Sequence, residues 1–441
     1  MSQTVASGFI DLATFDLLEQ RLYSPYGVNY YMKCVRRAKW STHIPAPLKK
    51  MNDAKFGGEF AGRFVRSADI VLRQWLRFEI SAVAFKDDVE ALMLADTSNT
   101  VDIGWPKNFG HNLVEKARLT FNDVQAQEID SYDLDIQKQF KVTASQRDNY
   151  NVMVGNVAAI QLTPASKKRS IQKLVLNVPF PWFFARDSGF GLPMCSLPFN
   201  NVDVTFTLRE AEKLLAISGT YSVDQAVHVP TFDDLKTVKI DKCEVWTEYA
   251  LLEEQERLRM ANTPREMIIE QFQTSKKSIP TSSSTAQQDI RFSHAVKSIQ
   301  FMVKNNNKIG DGNKVIRWSQ YTQNSVAAPT TFVNPIKKAS LLYEGTARLH
   351  ELNADFFTDV EPYYKAIARD VEQGYHLWSY ELHFGALNPC GSTNFSALNN
   401  PSLKIELDTN NIEVANLELI IKAYSATVVV FLRGGFGFVT Y

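Results

Sequence analysis

Histidines and cysteines are the side chains of this chain best suited to metal or nucleophilic chemistry, and their spacing works against both. His376 and His383 stand seven apart on a segment that reads as a strand, which turns them to opposite faces and spoils shared ligation. Both read as partly exposed structural histidines. Cys34, Cys195, Cys243 and Cys390 are scattered with no Cys-x-x-Cys pair, so they read as reduced thiols of a cytosolic protein. Arg186-Asp187-Ser188-Gly189 sets a serine beside an acid, but no histidine or strained nucleophile turn is signalled with it. A turn stabilised by Asp187 is the simpler reading. Gly189-Phe-Gly191 and Gly434-Gly-Phe-Gly437 lack the lysine and the βαβ setting that phosphate cradling needs. Gly310-Asp-Gly-Asn313 lacks the downstream acids of a calcium loop. Neither a catalytic residue, nor a metal ligand, nor a cofactor site is therefore expected.

The basic clusters Arg36-Arg37 and Lys167-Lys168-Arg169 are small and carry no interleaved aromatics, so sequence-specific nucleic-acid binding is not expected. Lys+Arg and Asp+Glu both number 48, which leaves no net field to draw the molecule onto nucleic acid or an anionic membrane. The N-terminus has no charged-then-apolar secretory pattern. Leu417 to Val439 is apolar but broken by Glu418, Lys422, Arg433 and glycines, and predicts a buried strand pair rather than a membrane span. Asn394-Phe-Ser396 fits a glycosylation sequon, fortuitous without a secretory route.

The elements that position these residues are mostly strands. Val71–Ile80, Lys116–Phe121, Lys173–Val178, Val202–Leu208, Val238–Tyr249, Leu403–Leu407 and Leu417–Leu432 carry the clearest signals. In Val202–Leu208 the alternation is strict: Val202, Val204, Phe206 and Leu208 share one face. Helical spacing is confined to Thr14–Leu22, Arg209–Ile217 and Glu253–Met260. Val124–Ser170, Gln273–Asp289 and Asn305–Pro335 are polar and read as surface loops.

A length of 441 residues predicts two domains of roughly 200 residues each. Internal similarity points the same way. Lys116–Phe121, after His111, is matched by the segment after His294, and Asn201–Leu208 is matched by Pro401–Leu407. His111 and His294 then precede equivalent strands and read as structural hydrogen-bonding groups at strand entrances. Many strands joined by long loops predict an all-β protein of sandwiches, the jelly-roll type among them.

Longer motifs carry a resemblance. Gly8-Phe-Ile-Asp-Leu-Ala-Thr-Phe15, Phe56-Gly-Gly-Glu-Phe60, Arg66-Ser-Ala-Asp-Ile-Val-Leu72, His111-Asn-Leu-Val-Glu115 with Leu119-Thr-Phe-Asn-Asp123, Phe183-Phe-Ala-Arg-Asp-Ser-Gly189, Asp289-Ile-Arg-Phe-Ser-His-Ala-Val-Lys297, Ala339-Ser-Leu-Leu-Tyr-Glu344, Val360-Glu-Pro-Tyr-Tyr364 and Gly391-Ser-Thr-Asn394 occur in this order. The chain thereby resembles the major capsid proteins of large nucleocytoplasmic DNA viruses, of iridovirus and marseillevirus type. The resemblance implies a double jelly roll, two eight-stranded sandwiches in tandem with short helices in loops. It also implies that three chains supply six jelly rolls to a pseudo-hexagonal capsomer of an icosahedral virion shell, with minor capsid proteins beneath and an internal membrane apposed. No cofactor or reaction is implied. Against this pattern the second-half loops are short, which implies a low outer face.

The expected division is an N-terminal arm at 1–30, a first jelly roll at 31–217, a linker at 218–235 and a second jelly roll at 236–441. In the arm, Phe9, Ile10, Leu12, Phe15, Leu18 and Leu22 form an amphipathic assembly segment at the capsomer base. Phe180, Trp182, Phe183 and Phe184 are either core aromatics or part of an interface between jelly rolls or subunits. The alternatives in other classes are a carbohydrate-binding or carbohydrate-cleaving sandwich, which needs a paired-carboxylate cleft, and a receptor-binding spike or minor capsid protein, which needs a stalk or separate head.

Overall fold

The computed structural model describes residues 2–438 apart from 18, 34, 36, 67, 97, 98, 163–167, 224, 225, 310–314, 327–330, 433 and 434. The chain forms two units, Met1–Trp40 and Ser41–Tyr441. The first unit begins with helix α1, Ser2–Ala13, followed by a helical turn at Glu19–Leu22.

The second unit is built from strands. β1 (Ser41–Pro47), β2 (Glu59–Arg63), β3 (Ile70–Ile80), β4 (Val114–Phe121), β5 (Val124–Asp130), β6 (Leu174–Pro179), β7 (Val202–Leu208) and β8 (Ile240–Leu252) make two sheets, ordered β1-β8-β3-β6 and β2-β7-β4-β5. β9 (Arg265–Ser278), β10 (Thr285–Asp289), β11 (Ala295–Asn305), β12 (Ile336–Tyr343), β13 (Thr346–Asn353), β14 (His376–Ser379), β15 (Ser402–Leu407) and β16 (Leu417–Leu432) make two more, ordered β9-β16-β11-β14 and β10-β15-β12-β13. Adding eight to each strand of the first half gives the second half. Each half closes two antiparallel sheets over one apolar core, so the molecule is a double jelly roll.

Period-two patterning explains the strands. Along β7, Val202, Val204, Phe206 and Leu208 are buried while Asp203, on the other face, accepts two hydrogen bonds from Arg63 at 2.7 and 2.8 Å. The apolar segment from Leu417 is β16, paired with a short strand at Gly435–Phe438.

Several expectations shift. Asn201–Leu208 and Pro401–Leu407 do hold matching places, as β7 and β15. Lys116–Phe121 and the segment after His294 do not, because the first is β4 and the second is β11, whose counterpart is β3. Alternation alone carries no topological address. The linker expected at 218–235 lies inside the first half: β8 follows it and pairs with both β1 and β3. The crossover is instead a helix at Glu254–Asn262, close to the helical spacing read at Glu253–Met260. Arg209–Ile217 holds a turn at Ala211–Lys213 and then enters a short strand, Ala216–Ser218, rather than forming a helix. The supposed loop Val124–Ser170 contains β5 and two helices, α2 (Ser131–Lys141) and α3 (Ala144–Val154), and Gln273–Asp289 contains the end of β9 and all of β10.

Candidate assembly site

Helix α2 is the element that joins the two sandwiches. Its start is fixed by a capping box: Asp130 accepts from the backbone N–H of Tyr132 and Asp133, while the Asp133 carboxylate accepts from the N–H of Asp130. Ser131 through Phe140 are all buried. Tyr132, Ile136 and Phe140, four apart, form a stripe that packs on Met302, Leu377, Phe384, Ile420 and Tyr424 of the second half, while Leu134 enters the first core. Each large side chain so buried contributes about 1.5–3 kcal/mol.

Charged groups cross the same joint. Lys422, on β16, donates to Asp130 at 2.7 Å, to Asp133 at 2.9 Å and to Thr274 at 2.6 Å. Burial, with the neighbouring Asp130 charge, pushes the Asp133 carboxyl up to about 8, and the two aspartates in turn outweigh burial to raise Lys422. A second cluster centres on Glu270 of β9, met by Arg186 at 2.5 Å and Lys141 at 3.7 Å from the first half, and by Lys297 at 3.2 Å from β11. Burial alone would raise the Glu270 carboxyl, but Lys141, Arg186 and Lys297 outweigh it and hold it down at about 2. Lys297 also pairs with Glu381 at 2.7 Å. Losing one member of such a set leaves a buried charge uncompensated, so these contacts fix how the halves sit.

His111 belongs to this joint. Its Nδ1 lies 2.7 Å from Asp135 and its Nε2 2.9 Å from the Tyr150 hydroxyl, while Tyr321 of the second half donates to Asp135 at 3.0 Å. Asn112 donates to Ser319 at 2.7 Å, and the guanidinium of Arg209 lies 4.2 Å over the Trp318 ring. His294 does not match it: it is exposed, with a left-handed backbone at φ 64° ahead of β11.

The other residues of interest fall apart. His376 is wholly buried rather than partly exposed, bonded to Phe301 and Asn334, and burial pushes it down to about 4. His383 is exposed in a loop beyond β14. Asp187 accepts from Gly189 N–H at 2.7 Å, a turn as expected. Cys195, Cys243 and Cys390 are free thiols. Cys34, Arg36, Lys167, Gly310 to Asn313, Arg433 and Gly434 lie outside the described residues. Among the described residues no group of His, Cys, Asp and Glu is placed to hold a metal, and no helix is long and apolar enough to cross a membrane.

Phe180, Trp182, Phe183 and Phe184 are buried in the first core, where the Trp182 indole donates to Gln74 and the Phe183 N–H to Gln127. In the N-terminal unit, Phe9, Ile10, Leu12, Phe15 and Leu22 are exposed, and Leu18 lies outside the described residues. Sequence reasoning missed α2 altogether, although the four-residue spacing of Tyr132, Ile136 and Phe140 behind an Asp-x-x-Asp cap was there to be read.

This arrangement, two like sandwiches fixed side by side in one chain, matches known proteins. Residues 29–253 match the family described as "Major capsid protein N-terminus", and residues 256–434 match "Large eukaryotic DNA virus major capsid protein". The major capsid protein of Tipula iridescent virus is 35% identical over 421 residues, covering 91% of this chain and 88% of that protein. That of Frog virus 3 is 35% identical over 415 residues, covering 91% and 88%. Among solved structures, the chain of the PBCV-1 virus capsid superposes with a TM-score of 0.71 at 18% identity, covering 94% of this chain and all of that one. The Faustovirus major capsid protein gives 0.72 at 10% identity, covering 95% and 94%. The chain belongs to the major capsid protein family of large eukaryotic DNA viruses.

Proposed function

We propose that this chain is a building block of a virion shell, three copies closing into a pseudo-hexagonal capsomer and capsomers tiling an icosahedral lattice. It does no chemistry. The observation that carries the reading is the duplication itself: two sandwiches of identical strand order, fixed in one chain by a buried joint, give each trimer six similar outer walls. Contacts within the trimer are large and well packed, and those between capsomers smaller and more polar, so that errors are corrected during growth. A formal net charge of zero suits subunits packed at high density. Further partners are minor capsid proteins beneath the shell and an internal membrane apposed to it, with assembly in the host cytoplasm.

The N-terminal unit supplies the assembly arm through Phe9, Ile10, Leu12, Phe15, Leu18 and Leu22. The described members of that set are exposed apolar side chains that isolated solubility does not require. Electron microscopy of the purified protein tests the function: six-lobed particles support it, and single elongated particles at all concentrations refute it. Removing residues 2–23 leaves those particles intact and abolishes shells; loss of the particles themselves refutes the arm's role.

A further inference from the structure

We infer that the cavity between α2, α3 and the loop after β6 is a binding site for a small amphipathic anion, an aliphatic monocarboxylate of medium chain length. The inference goes beyond the shell-building reading and does not depend on it.

The cavity has a volume of about 290 Å³, near the lower end of the roughly 300–1,000 Å³ usual for small-molecule sites. Leu134 and Val142, with Pro179, Phe180, Pro181 and Ala185 from the end of β6 and the loop after it, make its wall largely apolar. Lys141 and Arg186 line the same space, as does the more exposed Arg73 of β3. Among the described residues no acid lines it. An apolar wall with cations as its only charged groups selects an anion that carries an apolar body. The volume admits a short alkyl chain and is too small for a diacyl lipid.

The charge balance behind the wall points the same way. Lys141 and Arg186 share Glu270 with Lys297, and Lys297 also holds Glu381, so this set has three cations for two acids. Arg186 is well placed, against Glu270 at 2.5 Å and donating to the Gly385 carbonyl. The Lys141 ammonium stands off at 3.7 Å from Glu270, with the Phe384 and Tyr424 ring centroids each at 5.6 Å. Burial pulls this ammonium down to about 8, and the Glu270 charge restores only part of the loss. A carboxylate seated in the cavity supplies the missing negative charge beside Lys141, and its chain is buried against the apolar wall. The wall belongs to the first half and Glu270 to the second, so an occupant of this cavity bears on the joint between them.

Calorimetric titration of the full chain with sodium octanoate tests this, with 1-octanol, octylammonium chloride and sodium acetate as comparisons. Octanoate is expected to saturate one site per chain and to bind about tenfold or more tightly than octanol, which lacks the charge. Octylammonium, with the wrong charge, and acetate, with no chain, are expected not to bind. Lys141→Met keeps the aliphatic stem and removes the ammonium, and should bring octanoate down to the affinity of octanol. Ala185→Leu fills the cavity and should abolish binding of both, with circular dichroism checking that each variant is folded. No saturable octanoate binding by the native chain, or octanol binding as tightly as octanoate, overturns the inference without recourse to any variant. Native octanoate affinity in folded Lys141→Met or Ala185→Leu overturns it as well.

Discussion

The sheets β1-β8-β3-β6 and β9-β16-β11-β14 have the same strand order and opposite surroundings. β3 alternates: Gln74, Leu76, Phe78 and Ile80 face the core, and Arg73, Trp75, Arg77 and Glu79 face outward. β11 and β16 do not alternate in burial, because α2 covers the side of the sheet that faces away from the second core. Their outward positions hold Gln300, Met302, Lys304, Ile420, Lys422 and Tyr424, all buried. What differs between the halves is therefore what covers the sheet. A cation at an outward position is rim-like on the first sheet and part of a buried network on the second.

Two substitutions should break the chain about equally, one in each setting. Lys422→Ala leaves Asp130 and Asp133 buried without their cation and is expected to cost about 3–5 kcal/mol. Trp182→Ala opens a cavity in the first core and is expected to cost about 3–5 kcal/mol. Both are read from urea unfolding midpoints. A loss below about 1 kcal/mol for Lys422→Ala, against the general run of point substitutions, would show that the joint does not depend on this ion cluster.

A pH scan sharpens the same contrast. His376, on β14 of the covered sheet, is held neutral by burial, its value lowered from 6.5 to about 4. Below 6.5 the unfolded chain takes up a proton that the folded chain refuses until about 4, so this group's contribution is present above 6.5 and lost as pH falls to 4. The expected loss is about 3 kcal/mol across that window. His376→Gln should flatten the native curve there; an unchanged slope would refute the assignment. The smallest effect belongs to the open sheet. Lys242 pairs with Glu244 at 2.9 Å with half of its side chain exposed, and Lys242→Ala should shift stability by less than about 0.5 kcal/mol.

Much of the fold was legible because its strands face a core on one side and water on the other. The β7 alternation and the paired strands of the last apolar segment follow from period two. The joint was not legible for a definite reason. α2 mixes Asp133, Asp135 and Lys138 with its apolar stripe, and those polar residues suggest solvent unless the opposing Lys422 and Asn108 are already in view. β8 was assigned to the wrong half because strand patterning identifies a face and is silent about which neighbour it pairs with. His376 looked exposed because a histidine on a strand carries no sign of whether a helix or insert lies over it.

The most direct test of the account is the mass of the purified native chain in solution. A stable three-chain species that persists on dilution is predicted. A monomer at every concentration would contradict it.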